Sequence, residues 1–64
     1  MLTKVKLERI QRGLRQTDVA ALTQGEVPQY RLSLIERGVT PLPNEAKALA
    51  DVFKVNVREL FQTS

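Results

Sequence analysis

The 64-residue sequence contains no cysteine and no histidine. The first absence excludes disulfide staples and thiol nucleophiles. The second excludes imidazole acid–base chemistry, and the two together exclude the usual zinc-finger ligand sets. There are only three aromatic residues, Tyr30, Phe53 and Phe61. β-Branched residues are sparse outside Val5, Val19, Val27, Val39 and the 52–57 stretch, and nowhere do apolar and polar residues alternate for long, so strands are not expected. No apolar run exceeds a handful of residues. That excludes a transmembrane span and a secretory signal core, and makes the cytoplasm the expected location. Repeats, low-complexity tracts and linkers are also absent. What remains is a hydrophobic fraction of 42%, too high for a disordered tail. One helical domain over residues 1–64 is expected, because local contacts allow so short a chain to fold without staples.

The net charge of +3 is unevenly spread. Residues 1–15 hold Lys4, Lys6, Arg9, Arg12 and Arg15 against Glu8 alone, a local +4, while the remainder is close to neutral. A positive pole on a small protein argues for an anionic partner, with nucleic acid first.

Glycine and proline divide the chain into five short helical segments. Residues 4–12 carry Val5, Leu7 and Ile10 and stop at Gly13. Residues 16–23 are rich in helix formers and end before the turn Gln24-Gly25-Glu26. Pro28 suits a first helical position, and the third segment runs from there to Gly38. Residues 39–43 form a stiff connector, and residues 44–53 are again helical, with Leu49, Ala50 and Phe53 inward. Asn56 followed by Glu59 resembles a capping box that opens a last helix with Val57, Leu60 and Phe61 as its buried side.

The third helix is the most informative. With Gln29 at 0° and roughly 100° per residue, Leu32 and Ile35 point to the core. Gln29, Tyr30, Ser33, Leu34 and Arg37 fill the opposite arc. An amide, a phenol, a hydroxyl, an apolar side chain and a guanidinium are groups that read base edges and bind phosphates. Any surface helix is polar, but a merely solvated face would more often carry Glu and Lys, which this one lacks. Glu36 falls on the flank toward the core, where a lone carboxylate is costly. Arg9, one turn after Val5, also leans inward, so a bidentate Arg9–Glu36 pair is expected to tie the first helix to the third.

The stretches Gly13-Leu14-Arg15-Gln16-Thr17-Asp18-Val19-Ala20 and Leu32-Ser33-Leu34-Ile35-Glu36-Arg37-Gly38 resemble the Cro/C1-type helix-turn-helix of phage repressors and bacterial XRE-type regulators. Pro43, Ala48-Leu49-Ala50 and Val55 to Phe61 continue the likeness, as does the opening Glu8-Arg9-Ile10-Gln11. It covers residues 4–61, with several spaced motifs in order. The resemblance implies an all-α, compact, five-helix, lambda-repressor-like domain, with the helix-turn-helix at about 16–37. It also implies a transcriptional repressor that binds double-stranded DNA, at a pseudo-palindromic operator and as a homodimer, with no cofactor, metal or small-molecule ligand.

By the same resemblance Gln16 matches a phosphate-clamping glutamine, and Gln29, Tyr30, Ser33 and Leu34 match base-reading positions. Arg37 matches a phosphate contact. Arg31 is a further base-contact candidate, and Arg12 and Arg15 are further phosphate candidates. Arg9 and Glu36 match a buried ion pair, while Val57, Leu60 and Phe61 match a two-fold dimer contact.

Three departures stand out. Arg15 replaces the usual capping residue of the second helix, a loss of roughly 1 kcal/mol. The turn between the second and third helices is two residues longer than usual, enough to lengthen the second helix or tilt the third. Leu34 is unusual on a reading face. Together with Tyr30 and the modest net charge, it favours the alternative of a protein-interaction module on the same fold, an antirepressor or antitoxin-type partner. An enzyme is disfavoured. The serines lack a histidine partner, the carboxylates are scattered, and Gly13, Gly25 and Gly38 make no phosphate-cradling loop.

Overall fold

Thr3 sets the start of the first helix. In the computed structural model, which describes residues 3–61, its hydroxyl accepts the Lys6 amide at 3.2 Å and donates to the Glu36 carbonyl at 3.0 Å. One side chain therefore caps α1 (Lys4–Gln11) and joins it to the end of α3. Arg12 closes α1, and Gly13, at φ +67°, turns the chain back toward the body of the molecule.

α2 (Gln16–Leu22) begins at Arg15, which has no side-chain acceptor to offer. Asp18 compensates from inside the helix, where its Oδ2 accepts the Arg15 N–H at 2.8 Å. This is the reverse half of a capping box. Leu22 ends the helix one residue earlier than the sequence pattern suggests, so the long turn does not extend α2. Thr23 is buried instead. Its hydroxyl donates to the Ala20 carbonyl at 2.7 Å and accepts the Val27 amide at 3.1 Å. Gln24 and Gly25 then adopt left-handed backbone, at φ 58° and 87°, which throws the extra residues outward. Asn44 holds that bulge in place by donating to Glu26 at 3.1 Å.

Pro28 is the N-cap of α3 (Gln29–Glu36) rather than its first helical residue, because its ψ of 161° is extended. Pro43, expected at the end of the connector, opens α4 (Pro43–Phe53) as its first residue. The missing proline N–H is harmless there. Glu45 reaches back to accept the Leu42 N–H at 2.9 Å. α5 (Val57–Phe61) starts at Asn56, whose Oδ1 accepts the Glu59 amide at 2.9 Å.

These five helices, with no strand among the described residues, enclose a core of Val5, Val19, Val27, Leu32, Ile35, Leu49, Ala50, Phe53 and Leu60. Leu14, Ala48, Val52, Val55 and Phe61 pack around it. Val57, read as part of the buried side of the last helix, is exposed, and so is Ile10, one of the three apolar residues of the first segment. The inner face of α1 carries Val5, Glu8 and Arg9 at helical spacing, and Ile10 falls outside it. Two of these three are charged, so apolar periodicity alone does not mark that side.

Lys54 ends α4 in the left-handed region, at φ 59° and ψ 41°, without being glycine. A Cβ there costs roughly 1 kcal/mol. Lys54→Gly is therefore expected to raise the melting temperature by about 4 °C or more. A thermal melt showing no gain would mean that the Lys54 side chain returns the strain through contacts of its own.

Candidate nucleic-acid interface

The exposed face of α3 is useful only if the helix is held still, and Glu36 provides much of that hold. Its side chain is only 2% exposed and accepts three hydrogen bonds. Arg9 Nε donates to Oε2 at 2.6 Å and Arg9 Nη2 to Oε1 at 3.0 Å. Gln16 Nε2 also donates to Oε1, at 3.1 Å. Arg9 spends a further N–H on the Leu14 carbonyl at 2.9 Å, which fixes the α1–α2 turn. The bidentate contact with Glu36 raises the Arg9 pKa further, against a smaller opposing effect of burial.

From this anchored helix, Gln29, Tyr30 and Arg37 project as exposed side chains, with Ser33 and Leu34 half-buried between them. Tyr30 is 69% exposed. Arg37 folds back along the helix, its guanidinium donating to the Ser33 carbonyl at 3.3 Å and to the Ser33 hydroxyl at 3.2 Å. These bonds are solvent-exposed and exchange readily for a phosphate oxygen. Gln16, at the first position of α2, is brought beside the end of α3 by its bond to Glu36, and Thr17 is exposed next to it.

An exposed, uncharged-to-cationic face on the second of two helices joined by a turn is the arrangement of a helix-turn-helix. A helix-turn-helix family model matches residues 5–60. The chain belongs to the Cro/C1-type helix-turn-helix family. No curated protein and no solved structure matches it. The family consists of DNA-binding transcription regulators, typically without enzymatic activity, and the five-helix architecture is its lambda-repressor-like fold. Among the described residues, no helix is long and apolar enough to cross a membrane.

Several side chains take other positions than the helix-turn-helix pattern assigns them. Arg12 lies between α1 and α4. It pairs with Glu8, donates to the Phe53 carbonyl at 2.7 Å, and sits 5.1 Å from the centre of the Phe53 ring. Capping α4 uses the donors that a phosphate contact would need. Arg15 is exposed and bonded to Asp18 at 3.2 Å, a pair weak enough to open toward a phosphate. Arg31 does not join the exposed arc, because its guanidinium is clasped by Glu45 of α4 at 2.7 and 2.8 Å. The positive pole of residues 1–15 is correspondingly muted: Lys4 and Arg12 share Glu8, Arg9 has Glu36, and Arg15 has Asp18.

At the opposite end, Leu60 belongs to the core and is only 2% exposed. Burial within its own chain leaves it little surface of its own to offer a second copy, although it lies at the floor of the groove described next. Val57 is exposed and Phe61 half-buried. An open groove of about 420 Å³ runs between α1, the α3–α4 connector and α5, with Ile35, Val39, Pro41 and Phe61 among its lining. Apolar periodicity could not reveal it, since Val39 and Pro41 lie outside any helix. Glu45 and Asn44 were equally hidden, as polar residues of a helix expected to serve only the core.

Removing one partner of a buried ion pair leaves the other charge stranded, at about 3–5 kcal/mol. Arg9→Met is expected to destabilise on that scale in urea unfolding, while Arg9→Met combined with Glu36→Leu recovers most of the loss. A double variant no better than the single one would show that Glu36 acts through Gln16 rather than Arg9.

Acid should also weaken the fold. The Arg31 guanidinium, and to a lesser extent the Leu42 N–H, hold the Glu45 carboxyl below the usual carboxylate range, against the opposing effect of burial. A carboxyl with its pKa lowered on folding adds stability above its unfolded pKa and loses it as the pH falls through the folded value. Thermal melts at descending pH should show stability falling below the ordinary glutamate range, and falling less in Glu45→Gln. Parallel curves for the two proteins would count against Glu45 as a source of the acid sensitivity.

Proposed function

We propose that the protein is a sequence-specific transcriptional repressor that inserts α3 into the DNA major groove and acts as a homodimer on an inverted repeat. The observation that carries this reading is the exposed Gln29–Tyr30–Ser33–Arg37 face on a helix tied to its neighbours by buried ion pairs. Rigid support of a reading helix is what turns polar side chains into a base-reading template. In this reading Gln29 bonds to adenine, Tyr30 and Ser33 meet neighbouring base edges, and Leu34 packs against a thymine methyl. Gln16, Arg37 and Arg15 bind backbone phosphates. Phosphate contacts of this kind set register but carry no base preference. Val57 and Phe61, with Val39 and Pro41 across the groove, supply the apolar dimer surface. Two-fold symmetry then spaces the half-sites about one helical turn, roughly 10 bp, apart. Such a regulator works in the cytoplasm, where bacterial or phage DNA is read.

A second reading, a protein-interaction module on the same fold, is favoured by one observation. Most of the arginines near the N-terminus are neutralised, and the largest exposed side chain on α3 is an aromatic one.

Selection from a randomised duplex library at about 0.1 M salt separates the two, since non-specific electrostatic binding is already weakened there. The repressor reading expects an enriched inverted repeat. A folded protein that enriches nothing supports the interaction module. Within the repressor reading, Gln29→Ala should relax the preference at one position of the motif by about fivefold or more. Arg37→Ala should weaken all sequences alike and flatten the salt slope by roughly 0.9. Equal, base-specific losses from both variants would overturn these roles.

A further inference from the structure

The two arginines of the α3 region are held quite differently. Arg37 is exposed and bonded only to Ser33. Arg31 lies well inside the recognition helix's own span, yet its side chain is only 22% exposed. Its Nε donates to Glu45 Oε2 at 2.8 Å and its Nη2 to Oε1 at 2.7 Å. The Glu45 side chain is 5% exposed, and its Oε1 accepts the Leu42 N–H as well. Three donors therefore satisfy this carboxylate. α3 makes its main helix contacts with α2 and α1, and α4 with α5, α1 and α2. The Arg31–Glu45 pair thus spans two helices that otherwise pack mainly on other neighbours. A planar, bidentate contact fixes both the separation and the rotation of the two elements it joins.

Free on a recognition helix, an arginine would be the side chain best suited to bind guanine or to collect a phosphate. Taking Arg31 to DNA would strand Glu45, buried and without its counter-charge. That costs more than one solvated phosphate contact returns. We propose that Glu45 is a specificity-determining residue: it keeps Arg31 out of the groove, so that DNA is read by Gln29, Tyr30 and Ser33 without an arginine beside them. The inference rests on the DNA-reading function proposed above.

Four proteins test it in the randomised-duplex selection and in salt titrations of duplex binding: the unaltered chain, Arg31→Met, Glu45→Gln, and the double variant. Glu45→Gln retains the volume of the side chain and an oxygen to accept the Leu42 N–H, but lacks the charge that holds Arg31. Arg31→Met is expected to leave the selected motif and the salt slope unchanged. Glu45→Gln is expected to steepen the slope by about 0.9, one added phosphate contact, or to add a guanine preference of about fivefold or more at one position. The double variant should return to the unaltered motif and slope, because the freed arginine is gone.

Loss of a motif position in Arg31→Met would overturn the proposal, since Arg31 would then be a base reader itself. So would an unchanged Glu45→Gln, or a change that persists in the double variant, which would mark a general disturbance of the fold. Should circular dichroism show Glu45→Gln unfolded, Arg31→Met alone decides: a retained motif supports the proposal and a lost position ends it. If the unaltered chain selects no motif, the DNA-reading function falls and takes this inference with it. Failure of the variants alone removes only the inference.

Discussion

Three helices converge on the carboxylate of Glu36. It belongs to α3, receives two N–H groups from Arg9 of α1, and receives a third from Gln16 of α2. Thr3, the cap of α1, meets the carbonyl of the same residue. Burial explains why this point governs the rest. In a medium of low polarity a carboxylate is tolerated only when its acceptor positions are filled, so any rearrangement that separates α1, α2 and α3 strands a charge. A purely apolar contact between these helices could slide by a fraction of a turn at little cost. The directional bonds to Glu36 forbid that sliding. The same bond that holds Gln16 to Glu36 keeps the start of α2 beside the end of α3, the juxtaposition that a helix-turn-helix needs.

The principle extends around the molecule. α1 contributes Val5 to the core, and beside it stand the buried Glu8 and the half-buried Arg9, with Arg12 at the helix's C-cap. Each finds a partner on its own helix or on a neighbour, and no buried side-chain polar atom among the described residues lacks one. Such pairs do not add much net stability relative to well-packed apolar residues. Their directional bonds penalise any arrangement that separates the partners. For a domain of this size, with a small core and no covalent staple, the division of labour is clear. Val19, Leu32, Leu49 and Phe53 supply the drive to collapse, and the arginine–carboxylate pairs select which collapsed arrangement is kept.

Much of this was legible in the sequence because it depends on spacing. Gly13, the Gln24-Gly25 turn, Gly38 and the paired prolines mark the helix ends to within a residue or two. Leu32 and Ile35 orient α3 without ambiguity. Glu36 could be read as inward because it falls on the core flank of the helical wheel, one turn after Leu32, and Arg9 because it lies one turn after Val5. What spacing could not show was competition for the same charged group. Arg12 and Arg31 each fit a DNA-facing pattern, but acids at Glu8 and Glu45 take them up, and only Glu8 lies close enough in sequence to give warning. Glu45 is 14 residues from Arg31. Leu60 shows a related limit: it is buried as its spacing suggests, but the pattern of so short a helix does not say whether a buried residue faces its own core or a second copy.

Neutralising so many arginines has a consequence for binding. Non-specific affinity for duplex DNA scales with the number of phosphates a protein neutralises, so cations already paired within the fold contribute little to it. Lys6, Arg37, Lys47, Lys54 and Arg58 are the described cations outside any ion pair. They are distributed over four helices or their ends, and Arg37 alone among them belongs to α3 or its ends. If α3 reads DNA as proposed, a face with one unpaired cation holds random DNA weakly, and discrimination would rest on base edges and, in a homodimer, on the doubling of contacts. The structural cost of tying up the arginines is thus also what would leave the weak, polar contacts of Gln29, Tyr30 and Ser33 able to decide where the protein stays.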